Sequence, residues 1–466
     1  MSDLPHANFI MADDDPGLTT MVRRFWTLED HEQLYSTKKS PSVDEKKVLE
    51  FFEANTKKVG GQYQVPIPFK TQTPIFFDNR RQAQARLMRK RKKFQGDTTY
   101  FDEYNNVIQS NIREGYAEEI PQEQIEGENG KVNYICHNSV SHPRKKLRVV
   151  FNAAEKFAGQ SFNDQVRACP DLLETIVGIL LRFREGQVAV SADIRAFFSR
   201  VLIPPEQKDY LRFIWFRDGR LEELVHYRMQ CQIFGTIAAQ AASIVARNRS
   251  VRDAVKVSIL TATEAERSLR DFYSDDYMGS FKDTTTAVIT ALKLKEALGH
   301  GGFELTKFQS NDPRVVREIV GEAQQENLAT VGTAGGTALG IGWDLDRDLF
   351  FIPSRLAELD GPITKRKLLA SLMKIYDPMG WLSPFVLPMK LIMQQTCKGN
   401  QTLQWDEPLP DQIQREAQAC LNSLHHVSLL EIPRCYARGL SGRIVSRQLH
   451  THFLMEAIAP TGPMLI

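Results

Sequence analysis

The stretch Phe272-Tyr273-Ser274-Asp275-Asp276-Tyr277-Met278 places two adjacent carboxylates among aromatic and apolar residues. A second stretch, Val188-Ala189-Val190-Ser191-Ala192-Asp193-Ile194, is an apolar strand pattern with an aspartate near its end. Neighbouring carboxylates in such a context cost desolvation and repulsion energy, which a bound cation offsets. Two hard divalent cations about 4 Å apart serve in-line phosphoryl transfer. Each stretch alone is better explained as a surface turn or an ordinary strand end, but together they predict a nucleotide-polymerising site.

Short apolar strands alternate with amphipathic helices on both sides of these aspartates. The pattern predicts strands over 147–151 and 187–194, a strand-turn-strand over 271–278, and helices over 172–183, 237–246 and 284–298. This alternation favours an α+β fold, with an antiparallel sheet backed by helices. Beyond residue 350 the pattern becomes mainly helical, with helices expected over 365–374, 385–396 and 410–424.

The composition is typical of a globular protein. Hydrophobic residues make up 42% and charged residues 25% of the 466 residues, and the formal net charge is +2. These values exclude a disordered tail protein, a collagen and a membrane channel, and the length predicts about three structural units. The six cysteines form no CxxC pair, and the opening residues are acidic rather than signal-like. We therefore expect an intracellular protein, neither secreted nor membrane-spanning, with reduced thiols.

A basic run lies upstream of the aspartates. Between residues 80 and 93 there are eight cations and no acid: Arg80, Arg81, Arg86, Arg89, Lys90, Arg91, Lys92 and Lys93. A charge run alone is most simply a solvated helix face. If a polymerase site follows, the same run predicts a surface that contacts nucleic-acid phosphates.

The order of motifs resembles the reverse transcriptase region of BEL/Pao-type LTR retrotransposon polyproteins, from about residue 20 to about residue 450. The motifs that carry the resemblance are Arg24-Phe25-Trp26, Val65-Pro66-Ile67-Pro68-Phe69, Asn79-Arg80-Arg81-Gln82-Ala83, Leu147-Arg148-Val149-Val150-Phe151-Asn152-Ala153, Ala192-Asp193-Ile194, Phe234-Gly235, Tyr273-Ser274-Asp275-Asp276, Gly301-Gly302-Phe303-Glu304-Leu305-Thr306-Lys307 and Tyr376-Asp377-Pro378-Met379-Gly380.

The resemblance implies a right-hand polymerase of fingers, palm and thumb that acts as an RNA-directed DNA polymerase. Its partners would be an RNA or DNA template-primer and deoxynucleoside triphosphates, in the cytoplasm or in virus-like particles; the oligomeric state stays open. The implied divisions are an N-terminal linker and basic helical region (1–110), fingers and palm (111–352), a helical thumb-like region (353–425), and a truncated connection or start of RNase H (426–466).

The resemblance also implies roles at the site. Asp193 and Asp275 would hold two Mg²⁺ ions, or Mn²⁺ in their place. The carbonyl of Ile194 would be a further metal ligand, and Asp276 the third carboxylate. Lys307 would protonate the pyrophosphate leaving group, although an exposed strand lysine is nearly as good an explanation.

Other implied contacts concern the nucleotide and the primer. Arg148 would stack on the incoming base and contact its phosphate. Phe198 would exclude a 2′-hydroxyl, with Phe197 pointing to the opposite face of the same strand. Phe234 and Gly235 would pack under the nascent base pair. The segment from Leu339 to Trp343 resembles the primer grip.

The chain departs from the family pattern at several places. Thr236-Ile237-Ala238-Ala239-Gln240 stands where a Ser-Ser-Pro run is usual, and Ser274 stands where valine is usual. The C-terminal residues resemble a truncated tail, so the sequence predicts a chain that stops before RNase H. Two hypotheses follow from this: an active polymerase domain, or a catalytically inactive remnant that at most binds nucleic acid.

Overall fold

The computed structural model describes residues 41–142, 145–217, 220–321, 336–352, 361–397, 403–425 and 430–436. These residues form two compact units. The larger unit comprises residues 41–339, 344–348 and 433–436, and the smaller unit comprises residues 340–343 and 349–432, each within the described ranges.

In chain order, the helices of the larger unit are α1 (Val43–Asn55), α2 (Arg80–Gly96), α3 (Thr98–Arg113), α4 (Phe162–Gln165), α5 (Ile176–Phe183), α6 (Ala239–Lys256), α7 (Ala262–Arg270), α8 (Thr284–Gly299) and α9 (Pro313–Val320). The helices of the smaller unit are α10 (Lys365–Met373), α11 (Ser383–Cys397) and α12 (Asp411–His425). Short 3-10 helices lie at Gln122–Gln124, Phe197–Arg200 and Pro205–Leu211.

The strands are β1 (Lys57–Val59), β2 (Gln62–Gln64), β3 (Ala117–Glu119), β4 (His137–His142), β5 (Lys145–Phe151), β6 (Val188–Ile194), β7 (Arg212–Arg217), β8 (Arg220–Met229), β9 (Phe272–Tyr273), β10 (Asp276–Phe281), β11 (Leu305–Ser310), β12 (Gly336–Ala338), β13 (Ile341–Asp344), β14 (Leu349–Phe351) and β15 (Ile432–Pro433).

A four-stranded antiparallel sheet with the order β11-β6-β10-β9 forms the centre of the larger unit. Nearly every side chain of β6 is buried, so this strand is covered on both faces. Helices α6 and α8 pack in the same core as the sheet. The α6 residues in this core include Ala242 and Ala246, whose small side chains allow close approach. The predicted α+β arrangement, an antiparallel sheet backed by helices, is confirmed.

A second core in the larger unit is rich in aromatic rings. It joins α2 and α3 to the β3-β8-β7 sheet and the β4–β5 hairpin. Trp215 lies at its centre and donates its indole N–H to Asn105 Oδ1 at 2.9 Å. His137 is buried beside it, where the Tyr104 hydroxyl lies 2.6 Å from its Nδ1. Burial lowers the pKa of His137 to about 4, so this imidazole is neutral at pH 7.

Residues of the N-terminal region take part in both cores of the larger unit. Val48 and Phe52 of α1 and Tyr63 of β2 are buried in the core of the central sheet. The aromatic core takes Leu87 and Phe94 from α2. Sequence periodicity missed this because the elements are short and their packing partners lie far along the chain.

The smaller unit is mainly helical in its described part, as predicted. Helices α10, α11 and α12 share a core that includes Leu368, Met389 and Ala417. The helix boundaries agree with the expected ranges to within two residues. None of the described helices is long and apolar enough to cross a lipid bilayer.

A buried arginine connects distant parts of the larger unit. The Arg434 side chain is fully buried and forms an ion pair with Asp348, with Nε 2.6 Å from Oδ1. Its remaining N–H groups donate to the backbone carbonyls of Phe183, Gly186 and Gln187, at the turn that leads into β6. Every N–H donor of the guanidinium is therefore hydrogen-bonded. Because the charge is buried, loss of any one partner would leave an unpaired donor or charge away from water, which is costly.

Replacing Arg434 by methionine should destabilise the larger unit by about 3–5 kcal/mol, because the buried Asp348 carboxylate loses its charged partner. Calorimetry of the folded chain measures this as a lower melting temperature. Arg217→Ala is the matched control, because it removes only exposed ion pairs, with Glu119 and Glu223, and should change the melting temperature little. Equal effects of the two substitutions would contradict the assignment of Arg434 as a structural anchor.

Candidate active site

The pairing of β6 with β10 brings the predicted aspartates to one end of the central sheet. Asp276, the first residue of β10, lies opposite Asp193 of β6 in the strand register. The backbone N–H of Ile194 donates to the Asp275 carbonyl at 2.9 Å. Strand β9 ends at Tyr273, so Ser274 and Asp275 form the turn between the strands. All three aspartates are half-buried.

The charge of this group is concentrated enough to alter its protonation. Burial raises the pKa of Asp276 to about 6, and the neighbouring carboxylates of Asp275 and Asp193 add to the shift. The ammonium of Lys307 acts in the opposite direction. The negative charge of a carboxylate with two anionic neighbours is poorly balanced by the protein alone.

Lys307 lies directly at the site. Its Nζ is 3.1 Å from Asp193 Oδ2, although the rest of its side chain is mostly exposed. The lysine has a φ of 55° in an irregular part of β11, where the register with β6 shifts between Thr306 and Gln309. Thr306 also donates its hydroxyl to the Asp193 carbonyl at 3.1 Å. The irregularity in β11 therefore brings the Lys307 ammonium against the Asp193 carboxylate. Sequence spacing alone did not predict this contact.

The donor atoms match the chemistry of a hard cation. Carboxylate oxygens of Asp193, Asp275 and Asp276 are ligands that Mg²⁺ prefers, and their mutual repulsion is what a cation would relieve. Across the residues that the structure describes, however, no group of three or more His, Cys, Asp and Glu side chains already surrounds a common metal position. The donor atoms are therefore of the type that binds a divalent ion. In the structure, the positive charge beside Asp193 is the ammonium of Lys307.

Two residues of α6 support the turn, and sequence reasoning missed both. Arg247 is buried and donates Nη1 to the Ser274 carbonyl. Gln240 donates Nε2 to the Ser274 hydroxyl at 2.9 Å. Burial lowers the pKa of Arg247 to about 9, and the carboxylates of Asp275 and Glu174 oppose this shift. The only signal in the sequence was that Gln240 and Ser274 both depart from the family pattern.

The residues predicted to contact the nucleotide lie on neighbouring segments. The Phe198 ring is half-buried and lies 5.9 Å from the Phe234 ring, centroid to centroid. Phe197 is a core residue, as expected, but both phenylalanines lie in a 3-10 helix rather than on a strand. Strand β6 ends at Ile194, and the chain turns through Ala196 with a φ of 52°.

Gly235 lies against the end of the β4–β5 hairpin. It has a φ of 118°, and a Cβ there would collide with the Phe151 carbonyl. Only glycine fits this position. Phe234 beside it is largely exposed, and so is Arg148 on β5. These exposed side chains are available to a ligand.

Trp343 does not lie on a surface. It is fully buried in the structure, although the resemblance implied a contact with the primer. A ring without exposed area cannot stack on a nucleotide, so we remove Trp343 from the predicted nucleic-acid-binding residues.

The basic run does form a helix, α2, but most of its charges have partners. Acidic side chains pair with Arg80, Arg86 and Arg91, through Glu126, Glu155 and Glu222 respectively. Lys90 donates to the His137 carbonyl, and Lys93 lies 4.2 Å from the Tyr100 ring centroid. The cations left exposed on α2 without such a partner are Arg81, Arg89 and Lys92. Their spacing puts them on one side of the helix.

Replacing Arg81, Arg89 and Lys92 together by glutamine should weaken nucleic-acid binding and reduce the slope of log affinity against log salt concentration. Three lost phosphate contacts correspond to a slope change of about 2–3. Fluorescence anisotropy with a labelled duplex over a salt series gives the slope. The control replaces the exposed cations Lys46, Lys57 and Arg317, which lie on other elements, and should leave the slope unchanged. An unchanged slope in the α2 variant would mean that the basic run is an ordinary solvated helix face.

Asp276→Asn should stabilise the metal-free protein at neutral pH by about 1–3 kcal/mol, because it removes an ionised carboxyl whose pKa is raised to about 6 on folding. Near pH 4 and below, Asp276 is protonated in the folded protein and carries no penalty. The penalty grows as the pH rises towards 6 and is constant above it. The melting temperatures of the two proteins in EDTA should therefore converge at low pH and separate by pH 7. The exposed Asp102→Asn is the control, and a pH-independent difference for Asp276→Asn would contradict the shift.

Comparison with known proteins bears on the C-terminal part of the chain. Residues 364–452 match the family model described as the Pao retrotransposon-like RNaseH-like domain. The prediction that the chain stops before RNase H is therefore wrong. The match also overlaps the segment 353–425 that the resemblance assigned to a thumb.

Among solved structures, the chain is similar to a foamy viral protease-reverse transcriptase in complex with double-stranded DNA. The identity is 14% and the TM-score 0.44, and the match covers 70% of this chain and 48% of the viral chain. The chain thus spans about half the length of that protein. No curated protein sequence matches it. Residues 364–452 are thus similar to a domain of Pao-type retrotransposons.

Proposed function

We propose that the larger unit is an RNA-directed DNA polymerase domain of a retrotransposon polyprotein. The observation that carries the proposal is the register of β6 with β10, which brings Asp193 and Asp276 opposite each other and binds Asp275 to Ile194. Two-metal nucleotidyl transfer requires carboxylates that are held close together, and this register brings such carboxylates to one end of the sheet. The sheet and its helices would then be the palm, and the aromatic core with the β4–β5 hairpin the fingers.

The carboxylates of Asp193 and Asp275, with the Ile194 carbonyl, would hold Mg²⁺ or Mn²⁺, and Asp276 would complete the set. Bound there, the ions would supply activation of the primer 3′-hydroxyl and neutralisation of the triphosphate. The protein's own part is to keep these oxygens together. Lys307 would leave Asp193 and become a donor to the leaving pyrophosphate.

Selection of the nucleotide would rest on side chains that surround the aspartates. Arg148 would contact the base and the phosphate of the incoming deoxynucleoside triphosphate. The ring of Phe198 would exclude a 2′-hydroxyl by contact, and its packing against Phe234 supports a fixed wall. Gly235 would let the backbone approach the new base pair, and α2 would contact the template-primer through Arg81, Arg89 and Lys92.

A second candidate function is nucleic-acid binding without catalysis. The observation in its favour is that the Lys307 ammonium occupies the charged position beside Asp193, and that the described side chains form no assembled metal cluster. Such a protein would use the exposed cations of α2 but would not extend a primer.

Purified protein should extend oligo(dT) on poly(rA) with deoxythymidine triphosphate and Mg²⁺, and Asp275→Asn should lower the rate at least about a hundredfold, because a metal ligand becomes neutral. Primer extension followed by gel electrophoresis measures both rates. Asp102→Asn, an exposed aspartate on α3 of the same unit, is the control and should extend at the wild-type rate. Tight template-primer binding without extension would favour the second candidate.

A further inference from the structure

The turn that carries Asp275 is held in an unfavourable backbone conformation. Ser274 has a φ of 54°, in the left-handed region that residues other than glycine rarely adopt. Such a conformation is unfavourable for a residue with a Cβ and persists only where surrounding contacts enforce it. Two contacts reach Ser274 from outside the hairpin, and both come from α6.

The first contact is a buried guanidinium. Arg247 donates Nη1 to the Ser274 carbonyl, and its Nε and Nη2 donate to Asn248 Oδ1 at 3.1 and 2.7 Å. The guanidinium also lies over the Phe272 ring, 4.6 Å from its centroid. Burying an arginine is costly unless its charge is compensated, and here the Ser274 carbonyl, Asn248 Oδ1 and the Phe272 ring face the guanidinium. The ring contact and the hydrogen bonds restrict the guanidinium to one orientation.

The second contact joins two positions at which the chain departs from the family it resembles. Gln240, near the start of α6, donates Nε2 to the Ser274 hydroxyl at 2.9 Å. Neither partner alone could make this bond: a valine in place of Ser274 has no acceptor, and a proline in place of Gln240 has no side-chain donor. The two unusual residues therefore depend on each other.

We propose that Gln240 and Arg247 are positioning residues that hold the Ser274 turn from α6. Gln240 and Ser274 act as one interdependent pair, and their hydrogen bond determines the position of Asp275. The inference rests on the proposed polymerase function. Gln240 restrains the side chain of Ser274 and Arg247 its carbonyl, so the residue is fixed on two sides. Asp275 follows directly in the chain and its own carbonyl accepts a hydrogen bond from the Ile194 N–H, so the backbone that carries its carboxylate is restrained on both sides.

A merely structural role and a positioning role differ in what they change. Loss of a structural contact lowers the melting temperature and leaves the rate of the folded fraction unaltered. Loss of a positioning contact lowers the rate constant of nucleotide incorporation in protein that stays folded, because small displacements of a reacting group are costly. Binding of the nucleotide itself should change little, so the rate constant and the apparent nucleotide affinity should separate.

The experiment is a double-mutant cycle with Gln240→Leu, Ser274→Val and the double variant, measured by single-turnover incorporation of one deoxynucleotide. Each single substitution should lower the incorporation rate about tenfold, and the double variant should be no slower than either single variant. Ser243→Ala is the matched control, because its buried hydroxyl on the same helix has no hydrogen-bond partner, and it should keep the wild-type rate. If the rate losses of the two single variants multiply in the double variant, Gln240 and Ser274 do not act as a pair. Equal incorporation rates for Gln240→Leu and Ser243→Ala would also contradict the proposal.

Arg247 is tested by comparing Arg247→Lys with Arg247→Met. Lysine keeps a donor and a charge, so it should retain more of the incorporation rate than methionine at equal thermal stability. If both variants are equally slow in proportion to their lost stability, Arg247 has only a structural role.

A second readout separates this inference from the proposed function. Mn²⁺ affinity, measured by electron paramagnetic resonance without nucleic acid, should fall severalfold in Gln240→Leu and stay unchanged in Ser243→Ala. If the wild-type protein extends no primer, the proposed function fails, and the Mn²⁺ affinities still decide the inference. Equal affinities in all variants, or no Mn²⁺ binding by the wild-type protein, would overturn it.

Discussion

The antiparallel pairing of β6 with β10 in one register is the constraint on which the candidate site depends. Successive side chains of a strand point to opposite faces, so a slip of one residue would turn Asp276 away from Asp193. The close packing of β6 on both faces opposes such a slip, because each buried side chain would have to enter the surroundings that now fit its neighbour. Outside the sheet, Arg434 fixes the turn that leads into β6. The position of the carboxylates is thus a consequence of core packing.

The carboxylates of the candidate site lie close to cationic side chains. Burial and the carboxylates of Asp275 and Asp193 raise the pKa of Asp276, and the cations near this group come from different elements: Lys307 from β11 and Arg247 from α6. Lys307 is exposed and can exchange its partner, whereas Arg247 is buried and fixed.

Much of the local structure follows from the sequence. The helix boundaries of α1, α8 and α10 follow from capping residues such as Ser42, Asp283 and Thr364, whose side chains accept bonds from backbone N–H groups. The strand-turn-strand around Asp275 follows from alternation on both sides of adjacent acids. Errors arose where a residue's environment depends on distant partners. Trp343 is buried, Phe197 and Phe198 lie in a 3-10 helix, and the paired cations of α2 face acids more than forty residues away.

By itself, the sequence determined the class of fold, the strands that carry the aspartates, the helices of the smaller unit and the residue types able to bind a cation, because local propensity and hydrophobic period act over short stretches. Helix α6 in contrast extends to Lys256, ten residues beyond its predicted end at 246. Only the tertiary structure decided which cations on α2 stay exposed, that Lys307 lies on Asp193, and that Gln240 and Arg247 support Ser274. These are contacts between residues far apart in the chain. Their geometry depends on how whole elements pack, and no local pattern records it.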